Sequence, residues 1–181
     1  MTSSRGSERE PLDKVTAAEI GLAACRNSLA LAEEATLLSE NGHEARTFVL
    51  SALAGEELAK GWVAVLAQRY GDELEFWDSF WGVLEGSDIE KMRFTLFLEK
   101  TLPKLAGLER DEMARVFDDV FSEDLQSQKL RGTYVDYEDG QVRRPDEIAS
   151  NEEAKDLARR LRKSIVAWAI ILQMTLEKAR G

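Results

Sequence analysis

The sequence of 181 residues contains one cysteine, one histidine and three prolines, and each scarcity excludes a class of protein. Its single cysteine, Cys25, cannot form an intramolecular disulfide or a cysteine-rich zinc site. Its single histidine, His43, cannot supply a motif that needs two imidazoles. Three prolines and twelve glycines argue against a turn-rich all-β sandwich. We therefore predict no metal site, and no cofactor is expected.

Long apolar runs and a secretory leader are also missing. No stretch reaches the roughly 18 apolar residues of a membrane span, and no apolar run follows a basic N-terminal segment. Acidic residues number 34 against 24 basic ones, which gives a net charge of −10. Such a surface repels nucleic-acid backbone unless a local basic patch compensates. We expect a soluble, cytoplasmic domain that makes no contact with a membrane.

The chain is predicted to open with two long helices. Residues 1–12 are polar and aperiodic and are predicted to be a disordered lead, which leaves a single domain over residues 13–181. Apolar residues at steps of three and four predict a first helix over about 16–40 and a second over about 43–71. The Gly42 turn between them predicts an antiparallel helix hairpin.

Glycines inside these two helices predict close packing between them. Gly21, Gly55 and Gly61 lie among many alanines. A glycine within a helix costs roughly 1 kcal/mol relative to alanine. Close approach of the two helix backbones is the expected compensation, which is a packing role rather than a catalytic one.

The rest of the chain continues the helical pattern with one exception. A short helix over about 74–84 carries aromatic residues at four-residue spacing, which we interpret as core or as a dimer face. These residues are Phe76, Trp77, Phe80 and Trp81. Further helices are predicted over residues 87–102, 108–130 and 150–179. The exception is a structured loop over about 131–149, in which Asp139-Gly140 is typical of a β-hairpin turn. The fold class is therefore all-α.

Two polar residues fall on predicted apolar faces. Glu56 lies on the apolar seam of the second helix, and Asn27 lies between apolar positions of the first. Glu57 is rotated about 100° from that seam, and Lys60 follows Glu56 by the four residues that favour an ion pair. A carboxylate on a packing face costs several kcal/mol unless it is paired. The pattern indicates either an interhelical polar network that fixes register or a polar site between the helices.

The segments that carry these residues resemble the AbiV family of abortive infection proteins, which is usually placed in the HEPN superfamily of helical bundles. The first matching block contains Asn27 with spaced alanines, the Gly42 turn and Glu56-Glu57 followed by Lys60. The second block is residues 129–137, followed by Gly140 and Pro145. The resemblance covers about residues 16–180 and implies an HEPN-like bundle. It also implies a polar network of Asn27, Glu56, Glu57, Lys60, Arg131, Tyr134 and Asp136.

We expect Glu56 and Lys60 to lie mainly inside the bundle, near Asn27. The loop at 131–136 is expected to fold back toward the same helices, where an arginine or tyrosine could pair with the buried carboxylate.

The resemblance further implies a bacterial antiphage protein that stops phage multiplication at the expense of the infected cell. A homodimer is expected because HEPN relatives pair and because the aromatic stripe exceeds what a small bundle needs to bury. Many HEPN relatives are ribonucleases whose signature is an arginine, four to six residues, and a histidine. The nearest arginine before His43 is Arg26, 17 residues upstream, so that signature is absent. No catalytic residue is assigned.

Three functions stay open at this point. The first is a defence protein that binds a phage or host protein, which the acidic surface favours. The second is a HEPN-type ribonuclease with an unconventional active site, in which a basic patch around the loop would bind RNA. That patch would contain Lys129, Arg131, Arg143 and Arg144. The third is a structural or antitoxin-like helical partner. The missing signature argues against an enzyme and favours the first.

Overall fold

The computed structural model describes residues 10–85, 129–138, 140–149 and 152–180. The first part consists of helices α1 (Lys14–Glu40), α2 (Glu44–Tyr70) and α3 (Leu74–Glu85). In the second part, residues 129–133 are helical, and they are followed by β1 (Asp136–Glu138), β2 (Gln141–Arg143), α4 (Asp146–Ala149) and α5 (Glu152–Arg180). The all-α class is confirmed. The helix predicted over 87–102, and most of the one predicted over 108–130, lie outside the described residues.

Helix α1 begins two residues before the predicted start because Asp13 caps it. The Asp13 carboxylate accepts hydrogen bonds from the hydroxyl of Thr16 at 2.6 Å and from its backbone N–H at 2.8 Å. These hydrogen bonds hold the pKa of Asp13 below its usual range, since they stabilise the ionised form. At the other end, Gly42 adopts a φ of +77° and turns the chain into α2. The predicted antiparallel hairpin is thus formed by α1 and α2.

Helices α1 and α2 pack closely along a line of small residues. A Cβ at Gly21 would lie 2.3 Å from the Cβ of Ala64, and a Cβ at Gly61 would lie 2.6 Å from the Sγ of Cys25. A Cβ at either glycine would therefore require its neighbours to shift. The predicted packing role of these two glycines is therefore confirmed.

This close approach selects small residues for the interior of α1. Most of the buried residues of α1 are small, such as Ala18, Cys25 and Ala32, and Leu22 is a large exception at 2% exposure. Ile20 and Leu31 are only half-buried and pack against the core. The buried stripe of α1 therefore lies about one residue away from the line that Ile20 and Leu31 would predict.

Aromatic residues of α3 belong to the core of this chain. Phe76, Trp77 and Phe80 are buried, and Trp81 is half-buried against the core. The indole N–H of Trp77 donates to the carbonyl of Gly71 at 3.0 Å, which holds the ring in place. Because the stripe is covered within one chain, the expectation that it exceeds what the bundle can bury is wrong. A homodimer would therefore have to form through a surface other than the aromatic stripe of α3.

The last residues of the predicted disordered lead contact the bundle. Leu12 packs against the core, and the carbonyl of Glu10 accepts a hydrogen bond from the indole of Trp81 at 3.3 Å. Residues 1–9 lie outside the described part of the chain.

Helix α5 covers the α1–α2 pair with one of its faces. Ile165, Leu172 and Leu176 are fully buried there, and Trp168 packs on Trp62 with ring centroids 5.0 Å apart. This face completes the core. In the part of the chain that the structure describes, no helix is both long enough and apolar enough to cross a membrane.

The predicted β-hairpin is confirmed between residues 136 and 143. Strands β1 and β2 pair antiparallel, with Asp136 opposite Arg143 and Glu138 opposite Gln141. Gly140 adopts a φ of +79°, a conformation that glycine reaches without the steric cost that a Cβ imposes.

Candidate functional site

A partly buried ion pair joins α2 to the segment that carries the hairpin. The ammonium of Lys129 donates to a carboxylate oxygen of Glu56, although the two residues are 73 positions apart in sequence. The side chain of Glu56 is 17% exposed and that of Lys129 is 13% exposed. Glu56 is therefore largely removed from water, as its position on the apolar seam predicted, and a cation compensates its charge.

Lys129 connects the segment before the hairpin to α2 through its ion pair with Glu56. The expected partner of Glu56 was an arginine or tyrosine of the loop, but Arg131 and Tyr134 are exposed. Lys129, two residues before Arg131, reaches the carboxylate instead. Sequence reasoning placed Lys129 in a basic surface patch, because nothing in its local pattern signals a partner so distant in sequence.

Lys60 pairs with Glu57 rather than with the expected Glu56. The Lys60 ammonium donates to a carboxylate oxygen of Glu57, three residues earlier on the same helix. Both side chains are half-buried at the edge of the bundle. Glu56 pairs with Lys129 on another part of the chain, so the i, i+4 spacing of Glu56 and Lys60 did not decide the pairing.

Asn27 is exposed, so its predicted place inside the bundle near Glu56 is wrong. The buried polar residue of α1 is its neighbour Ser28, whose hydroxyl donates to the backbone carbonyl of Ala54 on α2 at 2.7 Å. Ser28 follows Cys25 by three residues and precedes Ala32 by four, so the stripe of small residues would have identified it. The one-residue displacement of that stripe explains the error.

A second polar contact ties three helices together and was not predicted. The carbonyl of Ala35 on α1 accepts from the hydroxyl of Thr47 on α2 and from the guanidinium of Arg162 on α5, each at 3.3 Å. Burial lowers the pKa of Arg162, while the carboxylate of Glu44 opposes that shift. The contact ties the C-terminal part of α1 to α2 and α5, which is a structural role.

Arg131 and Tyr134 of the predicted network lie on an exposed surface. Tyr134 is 63% exposed, and the residues beside it in sequence and across the hairpin are also exposed. We name this the hairpin surface, and it consists of Leu130, Arg131, Tyr134, Val135 and Val142. Asp136 begins β1, where its backbone pairs with Arg143, and its side chain lies outside the described part. The structure therefore separates the residues of the predicted network. Glu56 pairs with Lys129 from outside that network, and Glu57 pairs with Lys60. Asn27, Arg131 and Tyr134 are exposed.

His43 stands at the start of α2 and is exposed. Its side chain makes no capping hydrogen bond within the described residues. The described residues also contain no cluster of three or more His, Cys, Asp or Glu that could hold a metal ion. Within these residues the structure thus shows a partly buried ion pair beside an exposed surface.

Comparison with known proteins gives one family. Residues 16–165 match AbiV, a family of the HEPN type. No curated protein and no solved structure gives a significant match. The matched range covers most of the chain and contains the α1–α2 hairpin, the Glu56–Lys129 ion pair and the hairpin surface. The chain therefore belongs to the AbiV family.

Proposed function

We propose that this protein acts in abortive infection by binding a phage or host protein through the hairpin surface. Membership in the AbiV family is the observation that carries the defence role. The cytoplasm, where phage components are made, is the proposed place of action. The binding step is our inference from the chemistry of the exposed residues, and it requires no cofactor.

The hairpin surface has the composition of a protein-binding patch. Exposed tyrosine and arginine side chains supply most of the binding energy in many interfaces, and aliphatic neighbours exclude water around them. Tyr134, Arg131 and the two exposed valines Val135 and Val142 provide these residue types on one short segment. The Glu56–Lys129 ion pair fastens this segment to α2, which supports its use as an ordered surface.

The charge of the chain favours a protein partner over RNA. Net charge is −10, so long-range attraction to a polyanion is unfavourable. The hairpin segment does not reverse this balance, because residues 129–149 contain four basic and five acidic residues. The segment therefore offers no net attraction to RNA, whereas its mixed charges can complement those of a protein surface.

A phage-plating assay with bacteria that express the chain tests the proposal. Tyr134→Ala should abolish protection against phage while changing the free energy of unfolding by less than about 0.5 kcal/mol, because the side chain is exposed. Leu37→Ala is the matched control, since Leu37 is a similarly exposed apolar residue on α1, and it should protect like the parent. A Tyr134→Ala variant that protects fully would remove the hairpin surface from the mechanism.

Ribonuclease activity is the alternative that the arginines of this segment favour. Incubation of the purified protein with total RNA, with and without Arg131→Ala, distinguishes the two functions. The binding proposal expects no cleavage. Cleavage that is lost with Arg131 would overturn it in favour of a ribonuclease with an unconventional site.

An antitoxin-like role is the remaining alternative. It predicts that the chain neutralises a toxin encoded by a neighbouring gene, and that cells without phage need the chain to survive that toxin. Deletion of the gene for this chain alone, in cells without phage, therefore distinguishes the two hypotheses. Poor growth supports the antitoxin role, and normal growth supports the binding proposal.

A further inference from the structure

The two outer edges of the β1–β2 hairpin differ in how their backbone groups are satisfied. Successive residues of an antiparallel strand direct their N–H and C=O groups alternately toward the partner strand and away from it. Glu138 and Gln141 pair across two intervening residues, and residues in that position exchange both of their backbone hydrogen bonds. The alternation therefore directs the backbone groups of Tyr137 outward on the β1 edge and those of Val142 outward on the β2 edge.

The β2 edge is closed immediately after Val142. The backbone N–H of Arg144 donates to a carboxylate oxygen of Glu147 at 3.2 Å, and the Arg144 carbonyl accepts from the backbone N–H of Glu147 at 3.1 Å. Pro145 follows and has no N–H to donate. An added strand would therefore lose its hydrogen bonds beyond Val142 on this edge.

The β1 edge offers two outward positions, at Val135 and Tyr137. Among the residues that the structure describes, the sheet consists of β1 and β2 alone. Within that same part of the chain, the backbone of Val135 makes no hydrogen bond. The side chains of Tyr134 and Val135 are 63% and 68% exposed, so a partner can approach along this edge. An unpaired strand edge of this kind is a template for pairing with another chain.

We propose that an extended segment of the partner protein adds as a third strand along the β1 edge, where its backbone pairs with Val135 and Tyr137. This inference rests on the proposed function and specifies how the phage or host protein is held beside the hairpin surface. In strand addition, backbone hydrogen bonds supply affinity and alternate side chains supply specificity. RNA has no repeating N–H and C=O groups with which to extend a sheet.

The sequence of β1 favours a partner strand with basic residues over a second copy of this chain. Acidic residues at 136 and 138 alternate with Val135 and Tyr137. An antiparallel second copy would use both outward positions when Val135 of one copy pairs with Tyr137 of the other. That register places Asp136 opposite Asp136, and like charges directly opposite each other destabilise a strand pair. Lysine or arginine at alternate positions of a partner strand would complement the acidic residues instead.

Amide exchange with water, measured by NMR on the purified full chain, tests the β1 edge by itself. The N–H groups of Val135 and Tyr137 should exchange about ten times faster than that of Arg144, which is hydrogen-bonded to Glu147. Exchange at Tyr137 as slow as at Arg144 would show that another part of the chain already occupies the edge, and would overturn the proposal.

A proline at position 137 tests the added strand in cells. Tyr137→Pro removes an outward N–H, which a strand edge tolerates, and leaves the backbone groups that face β2 in place. Tyr137→Ala is the matched variant, because it loses the same side chain and keeps the N–H. In the phage-plating assay, Tyr137→Pro should protect about tenfold less than Tyr137→Ala, since one backbone hydrogen bond to the partner is lost.

Two measurements guard against loss of the hairpin itself. The amides of Gln141 and Arg143 should exchange as slowly in Tyr137→Pro as in Tyr137→Ala if β1 and β2 stay paired. If the proline opens the hairpin, Val135→Pro against Val135→Ala gives the same comparison at the outward position that precedes β1.

The outcomes separate strand addition from the proposed function. Equal protection by the proline and alanine variants would overturn strand addition. If Tyr134→Ala abolishes protection in the same assay, that result would leave the proposed function intact. Full protection by both Tyr134→Ala and Tyr137→Pro would reject both proposals. A dimer of the purified chain that Tyr137→Pro dissociates would assign the β1 edge to a second copy and would also overturn the inference.

Discussion

The α1–α2 interface and the hairpin segment use the same residue type for opposite reasons. Gly21 is required because the backbones of two helices meet there and a Cβ would lie 2.3 Å from Ala64. Gly140 is required because its φ is +79°, and a Cβ there would meet nothing within 4 Å. In the first region packing decides the residue, and in the second the local backbone conformation does. The helix pair therefore tolerates little change, whereas the hairpin can vary on its exposed side.

The largest effect is expected from a methyl group added at the helix interface. Gly21→Ala should lower the free energy of unfolding by about 3 kcal/mol, because α1 and α2 must move apart to admit the Cβ. At an unpacked helical position the same change would raise stability by about 1 kcal/mol. A chemical denaturation curve measures the difference.

A compensating change provides the control for Gly21→Ala. Ala64→Gly removes the nearer of the two groups that the new Cβ would meet, and the other is the flexible end of Leu176 at 2.8 Å. The double variant should therefore be more stable than Gly21→Ala alone. If Ala64→Gly only adds its own cost of about 1 kcal/mol, the close-packing explanation is contradicted.

The next largest effect is expected at the ion pair between the two regions. Glu56→Ala should lower the free energy of unfolding by about 1–3 kcal/mol, because it strands the largely buried ammonium of Lys129. Glu57→Ala, at the adjacent carboxylate, should cost only about 0.5 kcal/mol, since its partner Lys60 lies on the same helix and can turn toward water.

A double-mutant cycle isolates that interaction. Lys129→Met should destabilise the chain, and Glu56→Ala with Lys129→Met should cost less than the sum of the single changes. Additive effects would show that Glu56 stabilises the fold through other contacts.

A smaller effect is expected from the corresponding change in the hairpin. Gly140→Ala should cost about 1 kcal/mol, since only the backbone conformation opposes the new Cβ. The strain falls on a two-stranded hairpin, so proteolysis near residue 140 should increase more than global unfolding does. If Gly140→Ala lost as much stability as Gly21→Ala, the proposed difference between a packing requirement at Gly21 and a backbone requirement at Gly140 would be contradicted.

The smallest effect on stability is expected from ionisation of Cys25 in the helix interface, because it is absent at neutral pH and appears only in alkali. Burial raises the pKa of its thiol from 9.0 to about 11. The unfolded chain therefore releases this proton at lower pH than the folded one, and stability should fall as pH rises from 9 toward 11. Cys25→Ala should remove this part of the alkaline loss. Reaction of the native thiol with a maleimide should be slow and should accelerate on unfolding, and rapid native labelling would contradict its burial.

Local patterns in the sequence determined the elements of this fold. The steps of three and four predict α1, α2 and α5 to within two residues at each described boundary, because an amphipathic helix needs only its own periodicity. The Asp139-Gly140 pair predicts the hairpin because the turn chemistry is local. Gly21 and Gly61 predicted close packing, since a glycine costs helix stability unless contact compensates it.

Contacts between distant residues were decided only by the tertiary structure. Lys129 reaches Glu56 across 73 positions, and no pattern of three or four residues encodes that choice. Ser28 rather than Asn27 is buried because α1 and α2 approach each other closely. The face of α1 that carries most of its small residues, including Ser28, therefore lies in the interface. The sequence alone thus determined where the helices form, because helix formation depends on near neighbours. The tertiary structure decided which faces are covered and which charges are paired, because both depend on distances that only the folded chain sets.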